Sequence, residues 1–135
     1  MSVTPYVHFD SSELSAYLAH ASREALDALD FGVIGFDAQG IVRRYNQFEA
    51  TAAGLPTDKV LGHALFTIVA PCMNNFLVAQ RFDDAAADGT VLDDTVPYVL
   101  TLRMRPTKLL LRLLATPGAA LRYVLVQRTP RGVSA

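Results

Sequence analysis

Lys108-Leu109-Leu110-Leu111-Arg112-Leu113-Leu114-Ala115 carries leucine at both phases of a two-residue alternation. Leu109, Leu111 and Leu113 point one way in a strand, and Leu110, Arg112 and Leu114 the other. An antiparallel sheet with one wet face has no use for leucine on both sides. The neighbouring segments extend the pattern. Pro97 to Arg105 alternates Tyr98, Leu100, Leu102 and Met104 against Val99, Thr101, Arg103 and Arg105, and Leu121 to Gln127 alternates Leu121, Tyr123 and Leu125 against Arg122, Val124 and Val126. Pro106 and Thr116-Pro117-Gly118 supply turns, so a three-strand meander is expected. Leu110, Leu114, Val124 and Val126 are expected together on its second side, under some covering element, and Arg103, Arg105, Arg112 and Arg122 on a solvated face or edge.

Upstream, Phe31-Gly-Val-Ile-Gly-Phe-Asp37 is aromatic and β-branched, Asp37-Ala38-Gln39-Gly40 is turn chemistry, and Ile41 to Tyr45 completes a hairpin. Between Asn46 and Gly89 the pattern is helical in short pieces broken by Gly54, Pro56, Pro71 and Asn74-Asn75. Leu61, Leu65, Ile68 and Val69 are expected to share one apolar face. Pro71 disfavours helical geometry at Ala70, which leaves Cys72 just past a helix end. A longer helix should follow, with Val78, Phe82 and Ala86 on one side and Gly89 as its stop. At the start, Asp10 followed by Glu13 reads as a capping box, and Leu14, Tyr17, Leu18, Ala21, Ala25 and Leu29 recur at helical spacing. This amphipathic segment is the available cover for the second side of the sheet. The expected fold is α+β, a five-stranded antiparallel sheet with helices on one face and an N-terminal helical cap on the other, the pattern of PAS sensor domains. Residues 1–30 are expected to form the cap, 31–128 the core and 129–135 a frayed tail.

Composition narrows the partners. The chain has 135 residues, 51% of them apolar, enough for one ample core. A net charge of −1 and a pI near 6.3 provide no electrostatic footprint for nucleic acid or an anionic membrane surface. The single cysteine cannot form an internal disulfide, and no cysteine and histidine cluster suggests zinc. No secretory signal or membrane-length apolar run is visible, so a cytoplasmic protein is expected, as a monomer or weak dimer.

Three residues carry chemistry. Tyr45 and Glu49 stand four apart and would project from one face of a helix, a phenol beside a carboxyl. Cys72 is buried filler, a nucleophile or an attachment point. A lone cysteine is most often a small hydrophobe, and Tyr45 with Glu49 would ordinarily be a surface pair. His63 reads as a partly exposed polar residue; with Cys72 it would make an acyl-transfer enzyme, but no orienting third group or oxyanion-hole motif accompanies it.

Tyr45-Asn46-x-x-Glu49, Val60-x-Gly62, Val69-Ala70-Pro71-Cys72 and Met104-x-Pro106-Thr107-Lys108, in this order and spacing, closely resemble the photoactive yellow protein family of bacterial blue-light sensors. The resemblance runs from Phe31 to about Arg128. It implies a photoreceptor and not an enzyme, carrying p-coumaric acid (4-hydroxycinnamic acid) as a thioester on Cys72, with its phenolate buried beside Tyr45 and Glu49. Ile34, Ala53, Leu55, Phe66, Val69, Tyr98, Leu100, Leu102 and Met104 would line the pocket, and Met104 matches a methionine associated with return to the dark state. Light would isomerise the chromophore, Glu49 would yield its proton, and the cap would loosen around Leu14, Leu18 and Val124 to meet a downstream protein partner. Two positions depart from the family: Ala53 stands where it has a threonine bonded to the tyrosine, and Leu55 where it has an arginine over the chromophore. A PAS interaction module working without chromophore is the alternative that these departures favour.

Overall fold

The computed structural model describes residues 8–100 and 107–128. Five strands, β1 (Gly32–Phe36), β2 (Val42–Tyr45), β3 (Leu92–Leu100), β4 (Thr107–Ala115) and β5 (Arg122–Arg128), form one sheet in the order β2-β1-β5-β4-β3, every pair antiparallel. The first hairpin turns where expected: Asp37 accepts from the amides of Gln39 and Ile41 through Oδ1, and Gly40 adopts φ +82°. β3 starts five residues before the expected Pro97, because Asp93 and Asp94 look like turn residues in sequence but pair across the ladder with Leu114 and Leu113 and hold Arg112 and Arg81 as ion-pair partners. Pro97 is tolerated because β3 is an edge strand, where a missing N–H need not break a ladder.

Cross-strand register corrects the expected assignment of faces. Leu113 pairs with Val124 and Leu111 with Val126, so both valines join Leu109, Leu111 and Leu113 in the larger core, together with Ile34, Phe36 and Phe82. Leu114 instead pairs with Tyr123 and packs with Leu125, Val33 and Phe31 in a second core. Leu110 is covered by neither and is 39% exposed. Alternation sorts residues within a strand; only pairing tells which set of the next strand shares its side.

The cap covers that second core, but as two pieces. Helix α1 (Leu14–His20) and helix α2 (Arg23–Asp27) are separated by extended backbone at Ala21 and Ser22, and the Ser22 hydroxyl accepts from the Ala25 amide at 3.1 Å. Asp10 is therefore not the cap of one long helix; α1 has Glu13 in that place, without a side-chain cap bond. Leu14, Leu18, Leu26 and Leu29 are buried against the sheet. Arginines fasten them. Arg112, expected on a solvated face, is buried: Nη1 donates to the carbonyls of Phe9 at 2.9 Å and Ser11 at 2.8 Å, while Nε and Nη2 grip Asp93 at 2.9 and 3.0 Å. Arg44 donates to the carbonyls of Leu18 and Ala21. Arg122 is half-buried, and Arg103 and Arg105 lie outside the described residues.

The opposite face carries helix α3 (Gln47–Ala53), a 3-10 turn at Thr57–Lys59, a π-helical turn at Leu65–Val69, a 3-10 turn at Pro71–Met73 and helix α4 (Ala79–Asp88). The expected common face of Leu61, Leu65, Ile68 and Val69 does not form. Gly62 at φ +83° ends any helix from Leu61, and five-residue hydrogen bonds from Val69 to Ala64 and from Ala70 to Leu65 rotate Ile68 outward. Leu65 is buried, Val69 half-buried, and Ile68 is 63% exposed. In α4, Ala85 takes the inward place expected of Ala86, beside Ala79 and Phe82, and Gly89 caps the helix at φ +67°.

Candidate functional site

Tyr45 and Glu49 reach the larger core from two elements, not from one helix. Tyr45 is the last residue of β2, and Asn46 switches the chain into α3 as its N-cap, accepting from the Glu49 amide at 3.1 Å. Asn46 is fully buried and saturated: Oδ1 also accepts from the Val33 amide at 2.9 Å, and Nδ2 donates to the carbonyls of Leu26 and Phe31, both at 2.9 Å. One amide side chain thereby fixes β1, the cap and the start of α3. In sequence it is only a motif letter between two more conspicuous residues.

The two protic groups have separate partners. The Tyr45 hydroxyl donates to the Leu55 carbonyl at 3.0 Å. The Glu49 carboxyl receives Arg128 through both oxygens, at 2.8 and 3.1 Å. Burial raises the Glu49 pKa, and the Arg128 hydrogen bond and charge oppose that rise without cancelling it. Burial likewise pushes the Tyr45 phenol well above its ordinary value; the Glu49 charge adds to the rise and Arg128 opposes it. The carboxyl reaches Arg128 across Gly32, where an added Cβ would lie 2.0 Å from Glu49 Oε1. Gly32→Ala should therefore eject the carboxyl and overpack the site, lowering stability by about 1–3 kcal/mol in urea unfolding. An unchanged midpoint would mean that Glu49 does not depend on that space.

Cys72 lies in the short 3-10 turn after the π-helical turn, as the proline predicts, and is half-buried. Its carbonyl accepts from the Tyr98 hydroxyl and from Asn75 Nδ2 at 3.1 Å, and Asn75 Nδ2 also donates to the Tyr98 oxygen at 2.7 Å. Asn75 Oδ1 accepts from the amides of Leu77 and Val78. What sequence marks as a helix break is a clamp on the cysteine turn. Ile34 and Tyr45 belong to the larger core, and Leu55, Phe66, Val69, Cys72 and Tyr98 pack against it half-buried. Ala53 is buried on α3. Phe66 meets Phe36 edge-on at 5.4 Å between ring centres. The Leu100 side chain, Leu102 and Met104 lie outside the described residues, and His63 is exposed.

The half-buried Cys72 and the buried Tyr45 thus belong to one apolar cluster, with Glu49 buried nearby and its pKa raised by burial. Arg128 and Asn75 are the members that sequence reasoning missed. Asn75 is disguised as turn chemistry, and Arg128 sits at the end of a strand, 79 positions from Glu49. Among the described residues no cluster of metal-ligating side chains is present and no helix is long and apolar enough to cross a membrane.

No family model matches the chain. It is 37% identical over 102 residues to the photoactive yellow protein of Halochromatium salexigens, covering 76% of this chain and 81% of that protein. The photoactive yellow protein of Rhodothalassium salexigens is 29% identical over the same coverage. Among solved structures, the photoactive yellow protein domain of the sensor histidine kinase Ppr from Rhodospirillum centenum superposes with a TM-score of 0.77 at 28% identity, over 84% of this chain and 98% of that one. The PAS domain of the RpfR quorum-sensing receptor from Cronobacter turicensis, at 16% identity, TM-score 0.57 and 75% and 95% coverage, shares the fold alone.

Proposed function

The chain belongs to the photoactive yellow protein family of PAS-fold photoreceptors, and from that premise we propose that it is a cytoplasmic blue-light sensor holding p-coumaric acid as a thioester on Cys72. The observation that carries this is the gathering of Cys72, Tyr45 and the pocket residues Ile34, Leu55, Phe66, Val69 and Tyr98 in one apolar cluster, with the buried Glu49 carboxyl beside Tyr45. When bound, p-coumaric acid supplies visible absorption, trans-cis isomerisation and a phenolate.

This chain's residues supply the rest. Cys72 Sγ provides the acyl linkage, and Asn75 and Tyr98 keep its turn from shifting. With the group bound, the Tyr45 hydroxyl would turn from the Leu55 carbonyl to the phenolate end. Ala53 has no hydroxyl with which to tether Tyr45, so the backbone of Leu55 is what holds it otherwise. Glu49 can donate to an anion only when protonated, and burial moves its pKa in the required direction. On illumination Glu49 would lose its carboxyl proton to the phenolate end, and the buried charge left on it, partly offset by Arg128, would strain a domain whose total stability is of order 5–15 kcal/mol. The cap is the element that yields. The apolar surface it uncovers is Leu14, Leu18, Tyr123 and Leu125, not Val124, which lies on the other face. A protein partner would read that surface, with no catalysis involved.

Apoprotein mixed with an activated p-coumaric ester should turn yellow, bleach in blue light and recover in darkness, with hydrogen exchange rising in the cap while bleached. Cys72→Ala should stay colourless. A wild-type protein that takes up no colour would overturn the proposal and favour the chromophore-free interaction module.

A further inference from the structure

Among the described residues, Arg128 is the cation that meets Glu49. It stands on β5 with its guanidinium on the core side, 20% exposed, while the Glu49 side chain is 4% exposed. The fork-to-carboxylate geometry engages both oxygens, an arrangement suited to an ionised acid and not to a neutral one. Room for it is built into the backbone, since any side chain at Gly32 would occupy the position of Oε1. Among the described residues the remaining titratable neighbour is Tyr45 on β2; β1, which lies between, contributes Gly-Val-Ile-Gly-Phe and no charge. A proton on Glu49 and a bond to both oxygens from Arg128 are alternatives for the same carboxyl.

From this geometry we infer that Arg128 is the counter-ion and positioning residue of Glu49, a seat for the carboxylate whenever its proton is elsewhere. The carboxyl then has two states. Ionised, it is anchored to β5; protonated, it is released from the guanidinium and can donate toward Tyr45. For its role in the light response this inference rests on the photoreceptor function proposed above. There, the O–H bond of Glu49 breaks, the proton passes to the phenolate oxygen, and the negative charge left on Oε1 and Oε2 is taken by Arg128 instead of being stranded. Arg128 thus limits how far the cap is driven open.

The primary test needs no chromophore. In apoprotein labelled with 13C at glutamate side chains, with the Glu49 signal assigned by its loss in Glu49→Gln, the titration midpoint of Glu49 should rise in Arg128→Gln. In Arg128→Lys, which keeps the charge but loses the fork, the midpoint should fall between the other two, and this variant also serves if Arg128→Gln does not fold. An unchanged midpoint in either variant overturns the assignment. In loaded protein, light-induced hydrogen exchange in the cap should at least double in Arg128→Gln relative to wild type; an equal or smaller increase overturns the role in the response. If the midpoint shifts but wild-type protein never colours or bleaches, the counter-ion assignment stands and the photoreceptor function fails.

Discussion

Asn46→Ala should cost the apoprotein about 4 kcal/mol of stability. Four buried hydrogen bonds end on that one side chain, to Val33, Glu49, Leu26 and Phe31, and each backbone group left without a partner costs about 1–3 kcal/mol before relaxation. The sum is held below the simple total because the vacated space can admit local adjustment. Asn46→Asp separates the two halves of the network. Its carboxylate keeps the acceptors for Val33 and Glu49 and caps α3, but faces the carbonyls of Leu26 and Phe31 with no donor and repels both. The aspartate variant should therefore lose the α2 contact selectively, with hydrogen exchange rising in Arg23–Asp27 while α3 remains protected. Urea unfolding measures the first effect, and a loss below about 1.5 kcal/mol would mean that the network is not the joint described here.

Arg112→Met should release the cap while leaving the sheet folded. Methionine preserves much of the stem volume, so the change is mainly the loss of donors to the Phe9 and Ser11 carbonyls and of the grip on Asp93. Asp93 is half-exposed and can be rehydrated, whereas the Phe9 carbonyl contact is buried. A cost of about 2–3 kcal/mol is expected. It should fall on the least secured element: exchange of the amides in Leu14–His20 should rise at least about tenfold, equivalent to about 1.4 kcal/mol of local opening, with β4 and β5 little changed. Arg112→Lys should not restore protection, because an ammonium cannot serve both carbonyls and both Asp93 oxygens in one plane. Unaltered exchange in α1 would show that Leu14 and Leu18 alone hold the cap.

The strand count, the turns at 37–40 and 116–118 and the position of Cys72 are legible in the sequence because each depends on local signals: two-residue alternation, proline, and turn-forming aspartate and glycine. What was not legible depends on partners far along the chain. Alternation alone puts Val124 and Val126 with Leu110 and Leu114, on the wrong side, because their neighbours on β4 are fixed by register, which alternation does not encode. Arg112 resembles any surface arginine until the chain folds back 101 positions to bring the Ser11 carbonyl against it. The break between α1 and α2 is a local event, yet Ser22 is inconspicuous inside a run of helix-compatible residues. At the candidate site, Tyr45, Glu49 and Cys72 are marked by motif, whereas their immediate environment is not: the spacing of Tyr45 and Glu49 suits a shared helix face, and the strand-to-helix switch at Asn46 defeats it.

β1 is buried along its whole length, with Ile34 in the larger core and its neighbour Val33 in the core beneath the cap. It is a party wall between two rooms, one peptide thick. Under the proposed function, substitutions in this strand should alter spectral tuning and output together, since neither room can be refurnished without moving the partition. Colour should likewise be separable from signalling at Leu55, Phe66 and Val69, which pack against the first room and not the second.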